Sequence, residues 1–279
     1  MVITMKNAFA PICLALATLG GALLAAPAQA DAALRAAIAQ PQRTPAFVAR
    51  DAARHPYETL SFFGIKPEMT VVELSPGGGW YTEILAPYLR DKGQLILGAD
   101  DPASDSAYAK RSIERLQQKL AAQPAVFDKV RLGVFDAARG KLDYAAPGTV
   151  DLVLTFRNVH NWAALGEAPT QAVFQSAFKA LKPGGVLGVV DHRLPTARTQ
   201  DEKASSGYLH EAWVIRVAES AGFKLAAKSE VNANPKDTAD HENGVWALPP
   251  TWANKDKERA RYEAIGESDR MTLRFVKPS

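Results

Sequence analysis

The residues with the clearest chemical potential lie in Val71-Val72-Glu73-Leu74-Ser75-Pro76-Gly77-Gly78-Gly79, a short apolar run containing one acid and followed by a glycine-rich turn. Glycines there let the backbone bend sharply and come close to a ligand, and a helix start just beyond offers free amide groups. A dinucleotide fingerprint needs a third glycine where Thr82 stands, and a phosphate-binding P-loop needs a Gly-Lys-Ser/Thr that does not follow. The glycines alone therefore fix no ligand. Further polar residues cluster at the ends of other apolar runs: Asp100, Asp136, Arg157, His160, Asp191, His192 and Arg193.

The elements that position these residues follow from periodicity. From Thr70 onward, short apolar strands alternate with amphipathic helices, the pattern of a sheet covered on both faces. Strands are expected at Val71 to Leu74, Gln94 to Ala99, Val130 to Phe135, Asp151 to Phe156, Val186 to Val190, Phe223 to Val231 and Met271 to Val276. Trp80, Tyr81, Ile84, Leu85, Tyr88 and Leu89 recur at helical spacing after the glycines, with Pro87 near the helix end. Ser104 or Asp105 is expected to cap the next helix, and further helices are expected over Thr170 to Leu181 and Ser206 to Ala221. Lys182-Pro183-Gly184-Gly185 ends the first of these. Pro41, Pro45 and Pro56 divide the stretch before the sheet into short helices lying across the sheet edge or over the site. In doubly wound sheets ligands bind outside the carboxyl ends of the strands where strand order reverses, so the polar tips should converge there.

Residues 71 to 79 resemble the first motif of class I S-adenosylmethionine-dependent methyltransferases, with Glu73 as the acid four positions before the loop's middle glycine. Asp151 to Trp162 resembles the fourth motif, and Ala180 to Leu187 the helix, turn and strand that follow it. The likeness covers about residues 60 to 232. More narrowly, Phe62 to Pro67, Gly79 to Glu83 and Gly266 to Arg270 look like a group of predicted bacterial methyltransferases, often with export signals. The resemblance implies a doubly wound, mostly parallel seven-stranded α/β sheet with an antiparallel last strand. It implies S-adenosylmethionine as cofactor, with Glu73 near its methionine end and Gly77 and Gly79 giving it room. Asp100 matches the acid for the ribose hydroxyls, and Asp136 the side chain near the adenine amine. Ser75 departs from the family, which usually has glycine there; the serine is tolerable if its backbone angles are ordinary.

His160 has two readings, a general base at the fourth-strand tip, where methyl acceptors lie in this fold, or a hydrogen-bonded wall residue. His192 could serve as a second catalytic histidine. With Asp191 the two histidines make only a thin ligand set, so no metal site is expected. Arg157 and Arg193 suit an anionic acceptor or, on the bland reading, pair with Asp191, Asp269 or Glu267. Trp80 and Tyr81 read as core, and His55, His210 and His241 receive no role.

Lys6 precedes the apolar run from Ala8 to Ala26, and Ala28-Gln29-Ala30 precedes Asp31, which predicts a cleaved signal peptide over residues 1–30 and an exported, periplasmic protein. The remaining residues 31–279 fit one domain, with an insertion at about 232–269 whose Trp246, Pro249, Pro250 and Trp252 suggest an ordered cover over the site. The only cysteine, Cys13, lies in the leader, so thiol chemistry is not expected of the mature chain. With 33 Lys and Arg against 30 Asp and Glu, charge gives no reason to expect nucleic acid, and cleavage would leave no membrane insertion. The composition leaves oligomeric state open. Three functions remain: methyl transfer to a small molecule, non-catalytic binding of an adenosyl or other small ligand, and a metal-assisted enzyme using His160, Asp191 and His192.

Overall fold

The computed structural model describes residues 1–2 and 25–279, so most of the predicted leader lies outside the described residues. Helix α1, Ala25–Ile38, spans the expected leader boundary, and no helix among the described residues is long and apolar enough to cross a membrane. The prolines divide the next stretch as expected, into α2 (Pro45–Val48), α3 (Asp51–Arg54) and α4 (Pro56–Phe63).

The alternation that follows runs β1 (Thr70–Leu74), α5 (Thr82–Leu89), β2 (Gln94–Ala99), α6 (Ala107–Ala122), α7 (Pro124–Phe127) and β3 (Arg131–Val134). It continues as β4 (Val150–Phe156), α8 (Val159–Ala163), α9 (Glu167–Ala180), β5 (Leu181–His192), α10 (Glu211–Ser220), β6 (Lys224–Ser229), α11 (Arg259–Ile265) and β7 (Arg270–Val276). The seven strands form one sheet in the order β3-β2-β1-β4-β5-β7-β6, parallel except for β7, which runs antiparallel to both neighbours. Strand order reverses between β1 and β4, so the crevice lies above Leu74 and Phe156. One face buries Val72, Leu74, Val153 and Leu187 against α9 and α10. The other buries Val71, Leu97, Leu154 and Val190 with Leu60, Phe63, Ile84 and Leu85 of α4 and α5.

Most element ends shift by a few residues, and four departures from expectation have a local reason. The α6 cap is Ser106, whose hydroxyl accepts from the Ala109 amide at 3.3 Å, because Ser104 Oγ is occupied by the Ser106 amide. The helix α5 starts at Thr82, leaving Trp80 and Tyr81 in the preceding turn, although both are buried as core. The Pro183-Gly184 turn is a bulge inside β5: the pairing with β4 jumps from Val150↔Leu181 to Leu152↔Val186. Finally, α10 begins only at Glu211, because the preceding backbone is held by β5, with the Leu209 amide on His192 O and the Leu194 amide on Leu209 O.

Candidate functional site

The turn after β1 is shaped by three residues with positive φ: Ser75 at +51°, Gly77 at +56° and Gly79 at +80°. Ser75 thus takes the left-handed conformation that glycine adopts without strain, so its angles are not the ordinary ones expected for a serine. The Ser75 amide is held by Gly98 O at 2.8 Å. From the tip of β4, the Asn158 amide group donates to Ser75 O at 3.1 Å, Leu74 O at 3.3 Å and Phe156 O at 3.2 Å. Asn158 therefore ties the two strand tips together where the sheet changes direction.

A Cβ built on Gly77 would meet nothing within 4 Å, so this residue faces open space. One on Gly79 would meet the Lys119 side chain at 3.2 Å, which places Gly79 against α6 rather than on the open side. The short N-terminal helices lie over the turn. Trp80 Nε1 donates to Phe47 O at 2.9 Å, and Thr44 donates to the buried Glu83 through its amide and hydroxyl at 2.8 and 2.6 Å.

A cavity of about 310 Å³ opens at this point, bordered by Ser75, Gly77, Asp100, Tyr108, Asn158 and Trp162 among others. Three of the six expected cofactor residues, Ser75, Gly77 and Asp100, thus border one space. Burial raises the Asp100 carboxyl above its usual range, and the nearby Asp136 adds to that rise while Ser112 opposes it. Asp136 is close but not a lining residue; its carboxylate accepts from the Arg139 amide at 3.1 Å. Glu73 also stands off the cavity. It is 3% exposed and accepts from Thr82 Oγ1 at 2.7 Å, with its carboxyl pushed up to about 8 by burial, partly offset by that hydrogen bond. Tyr108, 69% exposed, and Ser112 were not singled out from the sequence. Their only signal there is an i, i+4 spacing on α6.

At the tips of β4 and β5, His160 and His192 lie with ring centroids 5.1 Å apart. His160 Nδ1 is 2.8 Å from Asp191 Oδ1, and its amide donates to Asp191 Oδ2 at 3.0 Å. A carboxylate only accepts, so a ring hydrogen sits on Nδ1 and Nε2 points away from Asp191. His192 Nδ1 is 2.6 Å from Ser268 Oγ. Burial, then the neighbouring His160, Arg270 and Arg54, holds the His192 imidazole well below its usual range, hence neutral near pH 7. Trp246 of the insertion meets His160 edge-on at 6.1 Å.

His160, Asp191 and His192 place possible ligand atoms within 4.8 Å of one another. Both Asp191 oxygens are already occupied, Oδ1 accepting from His160 Nδ1 and from the His192 amide and Oδ2 from the His160 amide. Asp191 is thereby an orienting group for the imidazole rather than an open ligand.

The two arginines expected at the cleft separate. Arg193 is saturated by Asp269 at 2.9 and 3.0 Å and Glu230 at 2.7 and 3.0 Å, which raise its pKa further, so its charge holds the insertion instead of facing an acceptor. Arg157 adopts φ +60° and continues the β4–β5 pairing through its amide, which donates to Val190 O at 2.7 Å. His241, given no role from sequence, lies with Asp237 at 2.8 Å, and Asp237 also accepts from Tyr208 Oη at 3.0 and 3.1 Å. The Asp237/His241 spacing of four residues was the available signal.

No protein-family model and no curated protein matches the sequence. Solved structures do match in shape. A SAM-dependent methyltransferase from Aquifex aeolicus superposes with a TM-score of 0.54 over 88% of this chain and 98% of that one, at 14% identity. The cyclase SpnF gives 0.54 over 81% and 82%, at 13% identity. An arsenic(III) S-adenosylmethionine methyltransferase from Chlamydomonas reinhardtii gives 0.50 over 88% and 73%, at 15% identity. The chain has the class I methyltransferase fold. At such identities the likeness establishes architecture, and the presence of a cyclase in the set shows one architecture serving more than one chemistry.

Proposed function

We propose that this chain is an exported S-adenosylmethionine-dependent methyltransferase acting on a small-molecule acceptor. The reading rests on one observation above all: Ser75, Gly77 and Asp100 border a single cavity at the switch point of the sheet. Its lining residues support that reading. Gly77 offers unobstructed backbone, Asp100 presents a carboxylate suited to ribose hydroxyls, and the exposed Tyr108 ring stands at the rim. The volume is at the lower end of the range for small-molecule sites, roughly 300 to 1,000 Å³. When bound, the cofactor supplies an electrophilic methyl group.

The chain's own contribution is alignment and proton removal. Asn161 and Trp162 of α8 border the cavity, and His160 precedes them in the same short helix. With Nδ1 held by Asp191, His160 has Nε2 free to take a proton from an acceptor hydroxyl or amine. Neutral His192 provides a second imidazole beside it. The insertion covers this side through Trp246.

Calorimetric titration of the mature chain with S-adenosylhomocysteine tests the reading. Binding should be measurable in the wild type and weakened at least about tenfold in Asp100→Ala, the loss of one hydrogen-bonding carboxylate. No heat with folded wild-type protein would refute it. Binding without turnover on a broad acceptor panel would instead favour a non-catalytic adenosyl-binding protein.

A further inference from the structure

Beneath α3, on the face of the sheet that carries His192, three guanidinium groups share one carboxylate. Arg50 Nε lies 2.7 Å from Glu267, Arg54 Nε 3.3 Å from both of its oxygens, and Arg270 Nη1 3.1 Å from Oε2. Arg54 and Arg270 are 2% and 4% exposed. Arg54 Nη1 and Arg270 Nε are fully shielded and have no hydrogen-bond partner among the described residues. Proteins seldom bury such donors unpaired, because each costs its full desolvation.

The surrounding charges do not cancel the excess. From β5 come His192, which is neutral, and Asp191, whose oxygens are taken by His160 and the His192 amide. From the segment before β7 comes Asp269, bound to Arg193. The turn before α5 contributes the Tyr81 hydroxyl, held neutral by burial, and the Trp80 ring, whose centroid lies 4.8 Å from the Arg54 guanidinium carbon; neither carries a negative charge. Register places Arg270 directly opposite His192 across the β5–β7 pair, so the two side chains share a face.

We infer that Arg54 and Arg270 form a recognition site for an oxyanion, a carboxylate or phosphate on the acceptor, with Glu267 as the internal carboxylate it displaces. Arg270 Nη2 is engaged by Ala53 O, so the unpaired donors are one from each side chain, Arg54 Nη1 and Arg270 Nε; guanidinium N–H groups suit an oxyanion, and displacing Glu267 would free the remaining ones. Arg50, whose side chain is 21% exposed, is the most accessible of the three guanidinium groups and directly precedes the four-residue helix that carries Arg54. That the anion belongs to a methyl acceptor rests on the function proposed above; that the cluster binds an oxyanion does not.

The test uses the full mature chain and three probes, sodium phosphate, sodium benzoate and sodium chloride at equal ionic strength, with melting temperature and calorimetry as readouts. Phosphate or benzoate should bind saturably to the wild type and to Arg193→Gln, with the binding lost in Arg54→Gln; which probe binds separates phosphate from carboxylate. Glu267→Gln removes the internal competitor and should tighten binding by about tenfold, as expected for removal of one buried competing charge. No saturable binding in the wild type, or an equal shift in wild type and Arg54→Gln as general salt stabilisation would give, overturns the inference. If Arg54→Gln fails to fold, Glu267→Gln decides alone: unchanged or weaker binding overturns it. S-adenosylhomocysteine is titrated into the same samples, so loss of the cofactor reading registers separately from loss of the anion site.

Discussion

His160 and Asp191 are joined twice, through the imidazole Nδ1 at 2.8 Å and through the backbone amide of His160 at 3.0 Å. The double contact fixes both the ring orientation and the tautomer, since neither can change without breaking a bond to a fully buried carboxylate. His160→Ala should therefore lower kcat by roughly 10²- to 10⁴-fold, the usual contribution of a positioned base. Affinity for S-adenosylhomocysteine should stay within about threefold of wild type. An equal fall in both quantities would make His160 a binding residue.

Gly77→Asp should eliminate cofactor binding while leaving the fold in place. Its Cβ would enter open space, and aspartate is among the residues that tolerate positive φ, so the melting temperature should move little. The new carboxylate would project on the cavity side. Unchanged affinity by calorimetry would show that the cavity is not the cofactor site.

Ser75→Gly should stabilise the protein by about 1 kcal/mol, because serine at φ +51° carries left-handed strain that glycine lacks. Denaturant midpoints at constant m-value provide the measurement. A loss of stability would mean that the serine hydroxyl contributes more than its backbone costs.

Glu73 gives stability a pH dependence of defined sign. Its carboxyl is held at about 8 in the folded chain against 4.5 when unfolded, so the folded state binds more protons between those values. Stability contributed by the neutral form is complete below about 4.5 and declines as pH rises toward 8, at no more than about 1.4 kcal/mol per pH unit. Glu73→Gln retains an acceptor for Thr82 and should flatten that slope, its advantage over wild type growing from pH 5 to 8 in thermal melts. Parallel curves would show that Glu73 is ionised in the folded protein.

Strand positions were legible from the sequence because each strand is a compact apolar run ending in a polar residue, as Gln94 to Ala99 shows by matching β2 residue for residue. The glycine turn and Asp100 were legible for the same reason: local spacing specifies them. What eluded sequence reasoning depends on contacts across long separations. The Asn158 amide group reaches carbonyls more than eighty positions earlier, and Ser268 reaches His192 across seventy-six. For Arg193, pairing with Asp269 was among the expected readings and is what forms, whereas its second partner, Glu230 just after β6, had no local signal. The late start of α10 was hidden likewise, since Leu209 is drawn into a backbone bridge with Arg193.

The insertion touches both imidazoles, with Trp246 against His160 and Ser268 on His192. One segment thus contributes a contact to each imidazole, while the orientation of His160 itself is set from beneath by Asp191. The same stretch of chain that pairs with Arg193 through Asp269 thereby also packs against both rings, so a change in its packing would be felt at two side chains at once.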